Sequence, residues 1–512
     1  KCWGYGNYGQ LGDGGTMNDY SPVPVDLGTG RTAVAVSAGY DHTCAILDNG
    51  DMKCWGQDSN GQLGDGSGGP TSTEAPSSTP IDLGTGRTAV AASADWTHTC
   101  AILDNGDMKC WGRDDYGQLG DGGSSTATNL QHSPVLVSGS NTWDSSTGLS
   151  SGSGSTANTL SSSAEGANLI VGIPMTDITF GTNSASSSSL ALGFRHTCGL
   201  LDNGSVKCWG VHDHGRLGNF ATQHIGDNAG EMGDTLAVTN LGTGRTATSI
   251  SAGLEQNSPH TCAVLDDGTV KCWGYNYYGQ LGIGNMTNMG DTADIMGDNL
   301  ATVDLGTGRT AVDVSVGNQF SCALLDNGDV KCWGRNQNGQ LGIGNTTTMG
   351  DDADEMGDNL AAVDLGTGRT AVAIATGYWH ACAILDNGDL KCWGDNDYGQ
   401  LGIGNTTAMG DNAGEMGDNS SYTSLGTGLT PVHIDAGNSH TCAIFDNGSV
   451  KCWGFNQKGN LGLGNTSNQG DNPNEMGNNL SFVELGTGRT AVDLTAMTQS
   501  VCAVLDNGSV KC

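Results

Sequence analysis

The sequence predicts an all-β repeat protein with four short strands per period, stacked as propeller blades or as an open β-solenoid. Three observations predict it. Sixteen of the 17 cysteines fall into eight pairs, each pair ten residues apart. The second cysteine of each pair, counted together with Cys2, recurs in steps of 52, 56, 98, 64, 60, 60, 60 and 60 residues. No window repeats its apolar residues at the 3.6-residue period of a helix, whereas short β-branched runs alternate at the period of a strand.

Each element of one period follows from its residues. Val23 to Leu27 is the first expected strand, and Gly28-Thr29-Gly30-Arg31 is a turn. Ala33 to Ser37 is the second strand; His42 to Leu47 and Asp51 to Trp55 form a closing hairpin. Its tip, Asp48-Asn49-Gly50, fits a three-residue loop with glycine in the left-handed position. Counting back from that tip sets Leu47 opposite Asp51, Ile46 opposite Met52, Ala45 opposite Lys53 and Cys44 opposite Cys54. The cysteines thereby occupy a non-hydrogen-bonded pair, where Cβ atoms approach closely enough for a bridge.

The same counting pairs Cys100 with Cys110, Cys198 with Cys208, Cys262 with Cys272, Cys322 with Cys332, Cys382 with Cys392, Cys442 with Cys452, and Cys502 with Cys512. The alternative is a set of reduced, buried thiols. A zinc array is a poor fit, because no C-x2–4-C knuckle occurs. Bridges in this number imply an oxidising compartment, so the chain is expected to be secreted, extracellular or at the cell surface.

The whole chain, 1–512, reads as one repeat domain of eight periods, and the long 98-residue step holds an insertion. Ser133 to Val137 (SPVLV) matches Ser21 to Val25 (SPVPV), and the segment ending in Cys198 matches the one ending in Cys44. Between them, residues 138–189 are rich in Ser, Gly and Thr and read as a surface loop or linker within the third period. Leu169 to Val171 and Ile178 to Phe180 are the patches there that could add strands.

Charge excludes several function classes. The chain carries 20 Lys and Arg against 54 Asp and Glu, a net charge of −34. A nucleic-acid binder needs a basic face to neutralise phosphates, and an anionic membrane surface would repel this chain. No run of about 18 apolar residues is present, which argues against a membrane-spanning helix. The sequence opens on Lys1 without a signal peptide, and is expected to be a processed chain or a fragment.

With these residues in place, a family resemblance can be stated. His42 to Gly66, HTCAILDNGDMKCWGQDSNGQLGDG, resembles the regulator-of-chromosome-condensation repeat. Its Trp-Gly-x-Asn-x-x-Gly-Gln-Leu-Gly tail recurs as Trp273 to Gly282, Trp333 to Gly342 and Trp393 to Gly402. The resemblance implies a β-propeller. Seven blades are usual in that family, and eight periods here set the expectation at seven to eight. The paired cysteines are similar to those of secreted microbial members. The family hosts nucleotide exchange on small GTPases, chromatin binding, enzyme inhibition and scaffolding, so the fold does not decide among them.

Four residue sets are candidates for chemistry. His42, His98, His196, His260, His380 and His440 each stand two residues before a cysteine, with Phe320 and Ser500 in the equivalent places. A residue repeated in every blade is distributed around a ring, so these histidines read as structural rather than catalytic. Trp55, Trp111, Trp209, Trp273, Trp333, Trp393 and Trp453 read as packing between blades, with an aromatic ligand cage as the alternative. No G-x-S-x-G, P-loop or H-E-x-x-H motif occurs, and the GTGRT copies are turns rather than phosphate cradles. No catalytic residue is assigned and no enzyme activity is expected.

The acidic loops are the third set. Asp351, Asp354, Glu355 and Asp358, with Asp291 and Asp298 in one neighbouring copy and Asp411, Glu415 and Asp418 in another, could offer oxygens to Ca2+. The spacing is not that of an EF-hand, and the alternative is a solvated acidic rim. The fourth set is the in-phase sequons at Asn285, Asn345, Asn405 and Asn465, read either as N-glycan acceptors or as turn chemistry.

The sequence therefore predicts a non-catalytic extracellular structural or surface-assembly protein. Its partners would be other proteins or copies of itself, as a homo-oligomer or filament. The alternative is a secreted binding module, adhesive or inhibitory and calcium-dependent in one version; a nucleotide-exchange factor is the weakest reading. Cys2 lacks a partner ten residues upstream. It is expected to bond a cysteine outside residues 1–512, with the N-terminal strand completed by further chain, same or neighbouring. Closure of that strand against the last blade is the competing expectation.

Overall fold

The hairpin around Cys44 and Cys54 shows how each period folds. In the computed structural model Gly50 adopts φ 78°, and its amide donates to Leu47 O at 2.8 Å. That tip fixes the register Ile46↔Met52, Ala45↔Lys53, Cys44↔Cys54 and His42↔Gly56. The Cα atoms of Cys44 and Cys54 lie 4.1 Å apart and their sulfurs are bonded. Six further hairpins repeat this register and bond, at Cys100–Cys110, Cys198–Cys208, Cys262–Cys272, Cys322–Cys332, Cys382–Cys392 and Cys442–Cys452. Cys502 is also disulfide-bonded. Cys512 and the Cys2 side chain lie outside the described residues.

The structure describes residues 2–67, 72–94, 96–121, 130–137, 190–193, 195–201, 203–221, 223–228, 231, 235–253, 259–496, 500–507 and 510–511. The insertion at 138–189, with its expected extra strands, falls outside them. Eight sheets follow one another. Blade 1 is Ala33–Ala38, His42–Leu47 and Met52–Gly56; blade 2 is Ala89–Ala94, His98–Leu103, Met108–Arg113 and Leu130–Leu136. Blade 3 is Leu190–Gly193, His196–Leu200 and Val206–Gly210; blade 4 is Ala247–Ala252, His260–Leu265 and Val270–Gly274. Blade 5 is Ala311–Val316, Phe320–Leu325 and Val330–Gly334; blade 6 is Ala371–Thr376, His380–Leu385 and Leu390–Gly394. Blade 7 is Pro431–Ala436, His440–Phe445 and Val450–Gly454.

Blade 8 is built from both ends of the chain. Ala491–Ala496, Ser500–Leu505 and Val510–Lys511 form its hairpin, and Cys2–Gly4 pairs antiparallel with Ser500–Leu505, setting Cys2 opposite Cys502. Asp19–Val23 then pairs with Cys2–Gly4. The ring closes because Leu11, Leu27, Ala33 and Trp55 share one apolar cluster with Cys502 and Val504. This departs from the expectation that further chain completes the N-terminal strand: within this chain Ser500–Leu505 already pairs with it.

The expected four strands per blade need a second correction. Most blades hold three regular strands. The outer edge is an irregular segment that touches the third strand through few bonds, such as Val303 N to Val270 O at 2.8 Å. In blade 4's copy Asp304 Oδ1 accepts from Gly306 N at 2.9 Å and turns the chain inward after that contact. Regular outer strands form at the two SPV copies, Asp19–Val23 on blade 8 and Leu130–Leu136 on blade 2. Val23 to Leu27 is not a strand, since Pro24 has no amide to donate and the strand ends at Val23.

Side chains bury between blades rather than within them. Cys322, Leu324 and Val330 of blade 5 pack on Ala371, Ile374, Ala383 and Trp393 of blade 6. The innermost strands touch their neighbours around the ring axis. Loops between the first and second strands, and those leaving the third strand, share one face. The Asp-Asn-Gly tips and the GTGRT turns share the other. No helix among the described residues is long and apolar enough to cross a membrane.

Candidate functional site

The repeated tryptophans and histidines are interblade fasteners. Trp111 Nε1 donates to Gln62 O at 3.0 Å and Trp393 Nε1 to Gln340 O at 3.0 Å, each reaching back one blade. All seven rings are buried, so they are not a ligand cage. Gly64, at φ 69°, lies flat against Trp111, and a Cβ there would sit 2.6 Å from the indole nitrogen. His42 Nε2 meets Thr99 Oγ1 at 2.7 Å and His380 Nε2 meets Thr441 Oγ1 at 2.9 Å, each reaching forward one blade. The Thr hydroxyls donate their protons to Gln62 O and Gln400 O. The imidazoles must then be neutral Nε2–H donors. Burial agrees with this, holding His42 and His380 down at about 3 and His98 and His440 at about 4, with a neighbouring histidine adding to the effect at His42 and His380. Where blade 5 replaces His by Phe320, the hydroxyl position of blade 6 becomes Ala381, and both are buried.

In the acidic loops the carboxylates accept hydrogen bonds from their own and neighbouring turns. Asp358 accepts from Thr307 N at 2.9 Å and from Thr307 Oγ1 at 2.6 Å, a clasp from the loop leaving blade 5 to the turn entering it. Asp298 does the same to Thr243, and Asp418 to Thr367. These hydrogen bonds hold all three carboxyls below the usual range. Glu355 Oε2 accepts from Gly350 N and Asp352 N at 2.8 and 3.0 Å, and Glu415 repeats this with Gly410 N and Asn412 N. Asp354 has φ 68°, and the same position holds Gly414 at 82° and Asn474 at 67°, so it is chosen for a left-handed turn. Burial raises Asp351 and Asp411 beside those glutamates. Asp291 instead lines a cleft on the rim beneath blade 3. Among the described residues no three His, Cys, Asp or Glu side chains converge as a metal site.

The sequon asparagines stand at loop tips. Asn345, Asn405 and Asn465 are exposed and Asn285 is half-buried. Each Oδ1 accepts the amide two residues on, at 2.8 to 2.9 Å, which is the turn chemistry expected of Asn.

The sequence reading missed the aromatic side chains gathered on the face opposite the Asp-Asn-Gly tips. Tyr40 stacks on Trp96 with ring centroids 4.6 Å apart. Arg195 lies over Tyr116 at 5.0 Å, and Tyr116 meets His224 edge-on at 4.9 Å. His214 meets Tyr275, which continues through Tyr277 to Tyr278. Arg335 is held between Tyr278 and Trp379, at 5.3 and 5.2 Å. Tyr398–Phe455 and Lys458–Tyr5 carry the arrangement on around the ring. Tyr277 is 60% exposed, so this belt reaches solvent. Six of the ten arginines form identical ion pairs on the other face, such as Arg309–Asp326 at 3.4 Å. Of the other four, Arg195 and Arg335 lie in the belt, Arg216 lies on blade 3's rim, and Arg113 pairs with Asp115 at the end of blade 2's third strand.

One rim loop breaks the repeat. Blade 4 leaves its third strand through Asn276 and returns at Asn288, whose Oδ1 accepts from Asn276 N at 2.8 Å. The bridge Gly210↔Ile225 aligns with Gly274↔Met289, so blade 3 carries His212 and His224 in the same two places. Their Nδ1 atoms are 3.1 Å apart. His212, His214, Asp213 and Asp291 line a cleft of about 390 Å3.

Comparison with known proteins agrees with this architecture. The regulator of chromosome condensation (RCC1) repeat model matches residues 33–62, 88–118, 188–216, 257–280, 311–340, 371–400 and 432–460, and a second RCC1 model matches 2–46. The chain is a regulator of chromosome condensation repeat protein. It is similar to the ultraviolet-B receptor UVR8 of Arabidopsis thaliana, 26% identical over 342 residues, covering 67% of this chain and 62% of the receptor. It is also similar to the human E3 ubiquitin-protein ligase HERC2, 26% identical over 407 residues, covering 80% of this chain and 7% of the ligase. Among solved structures, human WBSCR16 superimposes with a TM-score of 0.54 at 17% identity, covering 88% of this chain and 97% of that one. Yeast RCC1 (Prp20), solved bound to Kap60, gives 0.53 at 17%, covering 100% and 88%. These likenesses show the fold. In this RCC1-repeat chain, the seven described bridges and the rim histidines are features of its own residues.

Proposed function

We propose that this chain is a secreted, non-catalytic binding propeller that holds a protein partner on its aromatic belt. The single observation behind it is the run of Tyr, Trp and Arg contacts around one face, which are the side chains that dominate binding energy at protein interfaces. Aromatic rings supply contact area at low entropic cost, and the interleaved Arg residues are preorganised by stacking. The relatives point the same way at the level of class, since yeast RCC1 was solved with a protein bound. Secretion is supported by the buried bridges, which persist in oxidising compartments.

A photoreactive side chain at Tyr277 should capture the partner where the protein is secreted. Binding of that captured partner should be lost in the triple variant Trp96→Ala, Tyr277→Ala, Tyr398→Ala. It should survive Val312→Ser, Val372→Ser and Val432→Ser, which alter exposed residues at the far end of the inner strands. The opposite pattern would defeat the proposal. Assembly of identical copies is the second reading; sedimentation that depends on concentration and is abolished by the belt variant would select it.

A further inference from the structure

We propose that Arg335 is a carboxylate-binding anchor of the belt, taking an Asp or Glu side chain of the bound protein. The inference rests on the belt reading and names the chemistry of one contact in it. Its first support is a cation left without an anion. Six arginines pair with aspartates on the opposite face, and Arg113 pairs with Asp115. Among the described residues Arg335 has no carboxylate partner: its Nη1 donates to Gln319 Oε1 at 2.7 Å and its Nη2 to Gln337 Oε1 at 2.6 Å. Both acceptors are neutral amides, which orient the guanidinium and leave its charge uncompensated. Each terminal nitrogen keeps a second N–H, and such a fork is what a carboxylate accepts from bidentately.

The second support is a departure from the repeat. Arg113 and Asp115 in blade 2 hold the same two places as Arg335 and Gln337 in blade 5. Blade 2 thus carries its arginine's counter-ion two residues on, whereas blade 5 keeps the arginine and has an amide in place of the acid. The acid of the next blade, Asp395, is not offered instead. It accepts from Asn338 Nδ2 at 3.1 Å and from Gln400 Nε2 at 2.7 Å, and burial holds its carboxyl above the usual range. Gln319, which orients Arg335, is one of six non-glycine residues with left-handed φ among the described residues, at 63°. Strain of this kind persists where the surroundings hold a group in a set place.

The third support is the frame around the guanidinium. It projects from blade 5 between Tyr278 of blade 4 and Trp379 of blade 6, whose ring centroids lie 5.3 and 5.2 Å away. Three blades fix its position, so little side-chain freedom remains to be lost on binding. The seam is short of acceptors: Arg335 Nε and Trp379 Nε1 are buried donors without a partner. Unmet donors favour an arriving acceptor. Arg335 is half-buried beside the exposed Gln337, which puts the pair at the solvent edge of the seam. The net charge of −34 opposes a strongly acidic partner at long range. The site therefore suits a single carboxylate set among apolar contacts rather than an acidic run.

The test is nuclear magnetic resonance of the oxidised full chain, labelled with nitrogen-15 arginine and titrated with N-acetyl-glutamic acid α-amide, which carries one carboxylate. One Nε–H resonance should shift and saturate, and Arg335→Gln should remove it, which assigns the signal. The neutral isostere N-acetyl-glutamine α-amide should shift nothing. Gln337→Asp gives Arg335 the counter-ion that Arg113 already has, and copies blade 2, so folding should be unaffected. It should weaken binding of the probe, and of the partner captured at Tyr277, at least about tenfold, as for losing a hydrogen bond to a charged group. Gln457→Asp makes the same charge change at the equivalent exposed position of blade 7 and should leave both unchanged. No responding Nε–H, equal binding of the glutamine amide, or affinities that survive Gln337→Asp would overturn the anchor and leave the belt standing. Saturable binding of the glutamic acid probe with no partner captured at Tyr277 would uphold the carboxylate site and sink the belt reading.

Discussion

Blades 3 and 4 leave their third strands along the same backbone path and do different things with it. Both loops return through one antiparallel bridge fifteen residues on, Gly210↔Ile225 and Gly274↔Met289. Blade 4 closes its loop with Asn276 and Asn288, and blade 3 closes its own with His212 and His224. Blade 4 has glycine at position 284, whereas blade 3 has Phe220 in left-handed strain. In a repeat protein each blade is a control for the others. What all blades share is scaffold, and what one blade alone changes is where chemistry can reside.

The comparison breaks most strongly if a shared fastener is removed. Trp333→Ala in blade 5 should cost about 3–5 kcal/mol, as expected for emptying a fully buried indole site, read as a fall in the denaturant midpoint. Replacing Cys322 and Cys332 by Ala together should cost about 2–3 kcal/mol, since the bridge closes a short loop. An unchanged midpoint after either substitution would show that blades do not depend on these groups.

The His–Thr fastener offers a sharper test. His380→Phe alone, or Thr441→Ala alone, should destabilise by about 1–3 kcal/mol, through overpacking or an unpaired buried nitrogen. The double variant should recover part of that loss, because Phe320 and Ala381 already occupy the equivalent positions one blade earlier. Additive losses in a double-mutant cycle would refute the coupling.

Blades also differ in how they titrate. Asp58 and Asp114 stand where blades 4 to 7 carry Asn276, Asn336, Asn396 and Asn456, and burial raises their carboxyls to about 7 and about 8. A raised folded-state value stabilises below the unfolded carboxylate range and is lost as pH climbs through the folded value. Asp58→Asn and Asp114→Asn should therefore raise the melting temperature at pH 9 and change it little at pH 5. The buried histidines have the opposite sign. Their lowered values give stability that is complete above the ordinary imidazole value and is lost as pH falls toward about 3 to 4. The smallest effect is expected at the rim, where His212→Asn with His224→Asn should stay within about 0.5 kcal/mol of wild type.

Much of the fold was legible because it is local. Asp48-Asn49-Gly50 sets a register by itself, and eight tips repeat it. The closing of blade 8 was not legible, since Cys2–Gly4 and Ser500–Leu505 pair across almost the whole chain. The first expected strand, Val23 to Leu27, was misplaced for the same reason: the strand observed there, Asp19–Val23, is next to blade 1 in sequence but pairs in blade 8. The clasp in the acidic loops was not legible either, since Asp358 meets its donor Thr307 across 51 residues. The aromatic belt was invisible to a reading that looked for shared residues, because its members differ from blade to blade.

The fasteners between blades also have a direction. Each indole reaches back one blade, and five of the six imidazoles, all but His440, reach forward one. A blade is thus one half of two different contracts, and no blade is a self-contained tile. The natural unit for exchange runs from the middle of one sheet to the middle of the next. Phe320 cannot be transplanted without Ala381, although the two belong to separate sheets. Shuffled chimaeras cut at the loops should then assemble poorly, whereas those cut through the hairpins should keep every matched seam intact.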